Sequence, residues 1–254
     1  MALFVDGPAC TIDDLVDQDA GLLLVAETTG INVASKLRLA QEEIETDLEL
    51  WLIKPRPTME MLWGPVLRIQ QIVVTSPLKR WETMQALALV YRDAYFSQLV
   101  DRYQAKWQEY STLASAARES LIGSGLGVVS DPIHRSRPPV LSSVTGPQEG
   151  GTFYASVSSV NAAGQEGAAS VASSITIPDG QLMTAAAVDA PGNAVGFRVY
   201  AGTALNSMFR QNDVALPAGA TYTYVPGQVT RGPLPGRGQK PDFVRPLART
   251  LLRG

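Results

Sequence analysis

Apolar residues recur at every third or fourth position through the first half of the chain, and at every second position through much of the remainder. Over residues 31–52, Val33, Leu37, Ala40, Ile44, Leu48 and Trp51 form one stripe. Glu42, Glu43, Glu45, Asp47 and Glu49 cover most of the other surface. This spacing predicts an amphipathic helix. It ends at residues 54–58 (KPRPT), because each proline pushes the residue before it out of the helical region. Upstream, TIDDLVDQDAGLLL predicts one or two short helices with Thr11 as N-cap. Downstream, Ser76 and Pro77 have N-cap and first-turn chemistry. Trp81, Met84, Ala88, Tyr91, Tyr95, Leu99, Tyr103, Trp107, Tyr110, Ala114, Ala117 and Leu121 then keep helical spacing without an intervening Gly or Pro. If unbroken, ~40 residues at about 1.5 Å each make a rod of about 60 Å. A kink or short break in it belongs near residues 91–95. Residues 123–127 (GSGLG) supply the glycines that stop it. The aromatic stripe reads as packing, not as a cofactor site.

Composition and period change together after residues 130–139 (SDPIHRSRPP), a Pro-rich linker. TFYASVSSVNAAGQEGAAS alternates with period two and breaks at NAAG, a strand–turn–strand signal. SSITIPDG reads as a strand closed by a Pro-Asp-Gly turn, GFRVYAGT as a strand with Phe197 and Val199 on one face, and GATYTYVPG as another short strand. Short strands separated by Gly/Pro turns predict a small antiparallel β-sandwich over residues 140–230. The expected architecture is therefore α+β and multidomain: a helical domain (1–129), the linker (130–139), the sandwich (140–230) and an extended basic tail (231–254).

Charge sharpens that division. The 254 residues carry a net charge of −3, but residues 1–60 hold twelve acids against four bases, and residues 231–254 hold one acid against six bases. Residues 61–137 are net basic, with nine bases against six acids. Such polarity suggests contacts with differently charged neighbours or between copies of the chain. Nucleic-acid binding is disfavoured, because the terminal bases interleave with only one aromatic, Phe243. One cysteine, Cys10, excludes an intrachain disulfide and suits a reducing compartment. No apolar run is long enough to span a bilayer, and the start lacks the basic segment of a signal peptide.

Catalytic chemistry is sparse. His134 is the sole histidine and sits in the linker, far from any nucleophile-elbow motif. No metal-binding loop is present, and GSGLGVV lacks the Lys-Ser/Thr ending of a phosphate loop. Asp13/Asp14 and Glu42/Glu43 are adjacent pairs and diverge around a helix. Neither a catalytic residue nor a cofactor or metal ligand is expected, and the chain does not read as an enzyme.

Two resemblances guide expectation further. YASVSSVNAAGQEGAAS is similar to the V-x-x-V-N-x-x-G strand–turn of fibronectin-III and immunoglobulin-like modules, and GFRVYAGT to their G-[YF]-x-V-Y strand. In those modules the second usually precedes the first, so the resemblance implies a sandwich but not its topology. The helical half, with its acidic short-helix start, its Pro-punctuated loop, LALVYRDAYFSQLVDRYQAKWQEY and the following GSGLGVVSDPIHRSRPP, resembles head–tail connector (adaptor, neck) proteins of tailed bacteriophages. That resemblance implies a structural virion protein made in the bacterial cytoplasm. It would sit in the neck as a ring, usually a dodecamer, between portal protein and tail or tail-completion protein, with packaged DNA passing through without sequence-specific binding. It also implies that the tail orders on the portal, through Phe243, Val244, Arg245, Leu247, Arg249, Leu251, Leu252 and Arg253. The alternative is a carbohydrate- or surface-binding virion module on a helical stalk.

Overall fold

A computed structural model describes residues 2–53, 67–224, 232–236 and 238–247. The chain is α+β: a helical region is followed by antiparallel sheets. It divides into two units.

The first unit begins with a 3-10 turn, Phe4–Asp6, followed by α1 (Ile12–Gln18) and α2 (Leu22–Thr29). Thr11 caps α1 as expected. Its hydroxyl accepts from the Asp14 amide while Asp14 reaches back to the Thr11 amide, a reciprocal capping box. Gly30, in the left-handed conformation, ends α2. In α3 (Val33–Ile53) the predicted stripe is the buried one: Val33, Leu37, Ala40, Ile44 and Leu48 enter the core. Trp51 packs beside them, stacked on Trp81 at 5.7 Å between ring centroids. The KPRPT stop lies outside the described residues.

The expected rod is instead a hairpin. α4 (Ser76–Gln98) and α5 (Asp101–Ser124) are joined at Leu99, whose φ of 51° ends α4 with a left-handed residue. The chain reverses there, and the aromatic stripe folds onto itself. Tyr91 stacks on Tyr110 at 5.5 Å, and Tyr95 on Trp107 at 6.2 Å. Folding back lets both halves of the stripe bury one another, which a single helix cannot do. The reversal lies beyond the 91–95 window and carries neither Gly nor Pro, so residue type did not mark it. After α5, β1 (Leu126–Val128) is wholly buried.

The second unit holds eight strands among its described residues: β2 (Val140–Thr145), β3 (Gly151–Asn161), β4 (Ser173–Ile177), β5 (Gln181–Ala186), β6 (Ala194–Gly202), β7 (Phe209–Arg210), β8 (Leu216–Pro217) and β9 (Thr221–Thr223). One antiparallel sheet has the order β2-β5-β9; the other has β4-β3-β6-β7, with β8 also pairing β6. Phe153, Ala155 and Val157 of β3, Met183 and Ala185 of β5, and Phe197, Val199 and Ala201 of β6 share one core. Phe197 and Val199 share a face, as their spacing required.

Two sequence expectations change here. The segment after NAAG runs back along β3 without forming a regular strand: one isolated Val160–Glu166 bridge and the Gly167–Ser159 and Ser170–Val157 backbone hydrogen bonds hold it there. Residues 130–139 are not a free linker either: Ile133 and Ser136 are buried in this unit. Ser136 Oγ lies 2.8 Å from Ser159 Oγ, and the Gln239 side chain accepts from the Ile133 amide and donates to the Asp131 carbonyl and the Gln165 side chain. From Ala155 to Asn161 β3 is buried on both faces.

The chain then returns to the helical unit. β10 (Phe243–Arg245) pairs antiparallel with β1, in the register Leu126–Arg245, Gly127–Val244 and Val128–Phe243. Leu247 packs against the helical core. The β unit is thus inserted between two paired strands of the helical unit, and the expectation of a tail unstructured throughout is corrected over these residues.

Candidate interaction surface

The seat of β10 is built by glycines. Gly125 has φ of 83°, and a Cβ there would lie 2.7 Å from both the Arg245 carbonyl oxygen and a Val244 methyl. At Gly127 a Cβ would meet Thr75 Cγ2 at 2.8 Å and Pro241 Cγ at 2.9 Å. GSGLG therefore both stops α5 and admits the returning strand, because only a bare backbone allows that approach. The match between an apolar, glycine-spaced LGVV and the short DFVR was the signal in the sequence.

Of the eight residues expected to grip a portal, the structure places four. Phe243 and Val244 stay outward, 43% and 54% exposed, while Arg245 is half-buried and Leu247 rests on the core. Arg249, Leu251, Leu252 and Arg253 lie outside the described residues. The four placed residues are thus split between a folding role and an exposed apolar pair.

A second surface went unread in the sequence. Leu24, Val25 and Thr28 of α2 face Tyr91 of α4 and Tyr103, Ala105, Lys106 and Glu109 of α5 across an open groove of about 550 Å³. Beside it, Asp19 gathers polar groups from α4 and α5. Its Oδ2 accepts from the Tyr91 hydroxyl (2.7 Å) and the Tyr110 hydroxyl (2.9 Å), with Lys106 Nζ at 3.3 Å. Burial alone would raise the Asp19 carboxyl. The two tyrosine hydroxyls, the Gly21 amide and Lys106 outweigh it and hold the group below its ordinary value. Burial, then Asp19, pushes Tyr91 and Tyr110 upward, so both remain protonated donors. Arg102 stands at the rim, its guanidinium 4.6 Å from the Tyr103 ring centroid. The result is an apolar trough with a hydrogen-bonded carboxylate beside it and Arg102, Lys106 and Glu109 along its edge.

The helical unit has further outward apolar groups. Leu23 (52%) and Leu24 (68%) on α2, Leu50 (48%) on α3, and Phe96 (62%) and Leu99 (70%) at the hairpin turn are exposed. His134 is exposed, away from the groove residues in sequence and in the other unit. Among the described residues no group of three His, Cys, Asp or Glu side chains could hold a metal ion. No described helix is long and apolar enough to cross a membrane. Comparison with protein-family models, with curated proteins and with solved structures gave no match.

Proposed function

We propose that this chain is a structural assembly protein: a connector subunit that forms a ring between the portal and the tail of a phage virion. The observation that supports this most is the set of large apolar side chains left outward on separate helices of a well-packed helical unit: Leu23, Leu24, Leu50, Phe96 and Leu99. Scattered single apolar residues are ordinary, but leucines beside an open groove mark a contact surface. A subunit buried on two sides by its neighbours needs such surfaces at more than one place. Phe243 and Val244 then form the portal contact, carried on a strand already anchored to the helical core, with Arg249, Leu251, Leu252 and Arg253 extending it.

The finer reading of the β unit is a fibronectin-III/immunoglobulin-like sandwich with a permuted strand order, in which the strand at the A position follows C′ in the chain. Its order β4-β3-β6-β7 matches strands G-F-C-C′, and β2-β5-β9 matches E-B-A. This reading makes β3 the F strand and β6 the C strand, which accounts for the reversed order of the two sequence signatures. An experimental structure of residues 130–240 with another strand order would overturn it.

Binding to portal-containing, DNA-filled heads tests the function. Deleting residues 240–254 would remove a structural strand, so the cleaner variant is Phe243→Ser with Val244→Ser. It should melt near the wild type yet attach far more weakly. A wild-type chain that neither oligomerises nor attaches sinks the connector reading.

A further inference from the structure

Resting on that ring reading, we infer that the ring closes head-to-tail, with the acidic outer ridge of α3 on one copy docked in the α2–α5 groove of the next. The buried stripe of α3 fixes which residues point away from the core. Glu42, Thr46, Glu49 and Leu50 are all exposed, at the helical spacing that aligns them along one flank. Leu50 is an apolar knob, 48% exposed, beside Glu49, while Glu42 further along the ridge is paired with Arg38. The groove offers the converse, an apolar trough between α2 and α5 with Leu24 on its wall and Arg102 at its edge, while Lys106, also at the edge, already faces Asp19 and Glu109. Leu50 fits the trough, and Glu49 is then the natural partner of Arg102.

Charge selects this pairing over symmetric ones. Groove against groove would bring Arg102 of one copy toward Arg102 of the other, and ridge against ridge would bring Glu49 toward Glu49. Like charges across an interface are penalised heavily, whereas ridge against groove sets Glu49 against Arg102. The pairing also accounts for the charge pattern of the sequence, since residues 1–60 are strongly acidic and residues 61–137 net basic. Because ridge and groove are different surfaces of one unit, each copy has both free to engage a different neighbour, which generates a ring when the rotation closes.

Two charge reversals test it: Arg102→Glu and Glu49→Arg, both at exposed positions. Circular dichroism and melting should show each folded as the wild type. In native mass spectrometry and light scattering, each variant alone should assemble on the order of tenfold or more weakly than the wild type. Mixed one to one they should recover, because every contact then joins opposite charges, and the rings should contain even numbers of subunits. A wild-type ring with both variants assembling equally well, or a mixture that stays dissociated, overturns the interface while leaving the connector reading intact. So does saturable occupation of the groove by an apolar small molecule without effect on assembly. A wild type that is monomeric alone and on portal-containing heads overturns the connector reading and this interface with it.

Discussion

At the scale of the residue, the helical core contains a carboxylate with no solvent contact. Glu82 on α4 accepts the Ala9 amide at 2.8 Å and the Cys10 amide at 3.5 Å, while its Oε2 is buried without a hydrogen-bond partner among the described residues. Burial raises Glu82 from 4.5 to about 7, against the pull of those amides, and burial with Glu82 beside it pushes the Cys10 thiol to about 12. A carboxyl with a raised folded-state pKa binds its proton more tightly when folded. Stability therefore falls as pH rises from about 4.5 to about 7 and is level above, with a slope on the order of 1 kcal/mol per pH unit at most. Glu82→Gln should remove that slope and raise the melting temperature at pH 8, measured by thermal scans from pH 4 to 9. An unchanged pH profile would show that Glu82 does not titrate in this window. Asp14 and Asp19 act in the opposite sense: both are held below their ordinary values, so what they contribute is lost only as pH falls further into the acid range. Gly125 offers a second test. Gly125→Ala puts a Cβ against the Arg245 backbone at a positive φ, at a cost of about 1–3 kcal/mol. Amide exchange over residues 242–245 should accelerate more than in α4; equal protection would mean that β10 has another seat.

At the scale of the element, α3 and the α4–α5 hairpin carry the helical core. Leu48→Asp places a charge where no water reaches, and soluble expression should be lost. A well-folded variant would show that the stripe is wrongly oriented. Leu99 invites the reverse change. A non-glycine residue at φ 51° carries strain, and this one is exposed, so little packing is at stake. Leu99→Gly should leave stability level or raise it by up to about 1 kcal/mol in urea unfolding, while removing an exposed apolar contact from the turn. The stripe of α3 and the Thr11 cap were legible because each depends on residues a few positions apart. The hairpin was not, because continuous apolar spacing is equally compatible with one long helix. What separates them is whether Tyr91 finds Tyr110, a tertiary event.

At the scale of the whole molecule, the unit boundaries change what can be cut out. The strand pattern of the sequence places the β unit at residues 140–230, but Ile133, Ser136 and Gln239 are buried in it, outside those limits. On the face of β3 and β6 opposite the core, Glu166 accepts from Ser158, Tyr200 and Arg198, the last at 2.7 Å, so the loop after β3 is held down by side chains as well as backbone. Residues 130–240 should therefore give a β-type spectrum and a cooperative melt, and residues 138–230 a markedly lower melting temperature. Equal melting of the two would make the flanking segments ornamental.

The sequence by itself determined what depends on near neighbours: the class of each half, the buried stripe of α3, the α1 cap, the inward face of β6 and the asymmetry of charge. Tertiary structure decided what depends on residues far apart. Those are the reversal at Leu99, the burial of residues 130–139 against β3, the groove beside Asp19 and the return of β10 to β1 across more than a hundred residues of intervening chain. Local periodicity reports which face of an element avoids water. It carries no information on which other apolar surface will cover that face, because many partners satisfy the same pattern and only packing in three dimensions selects among them.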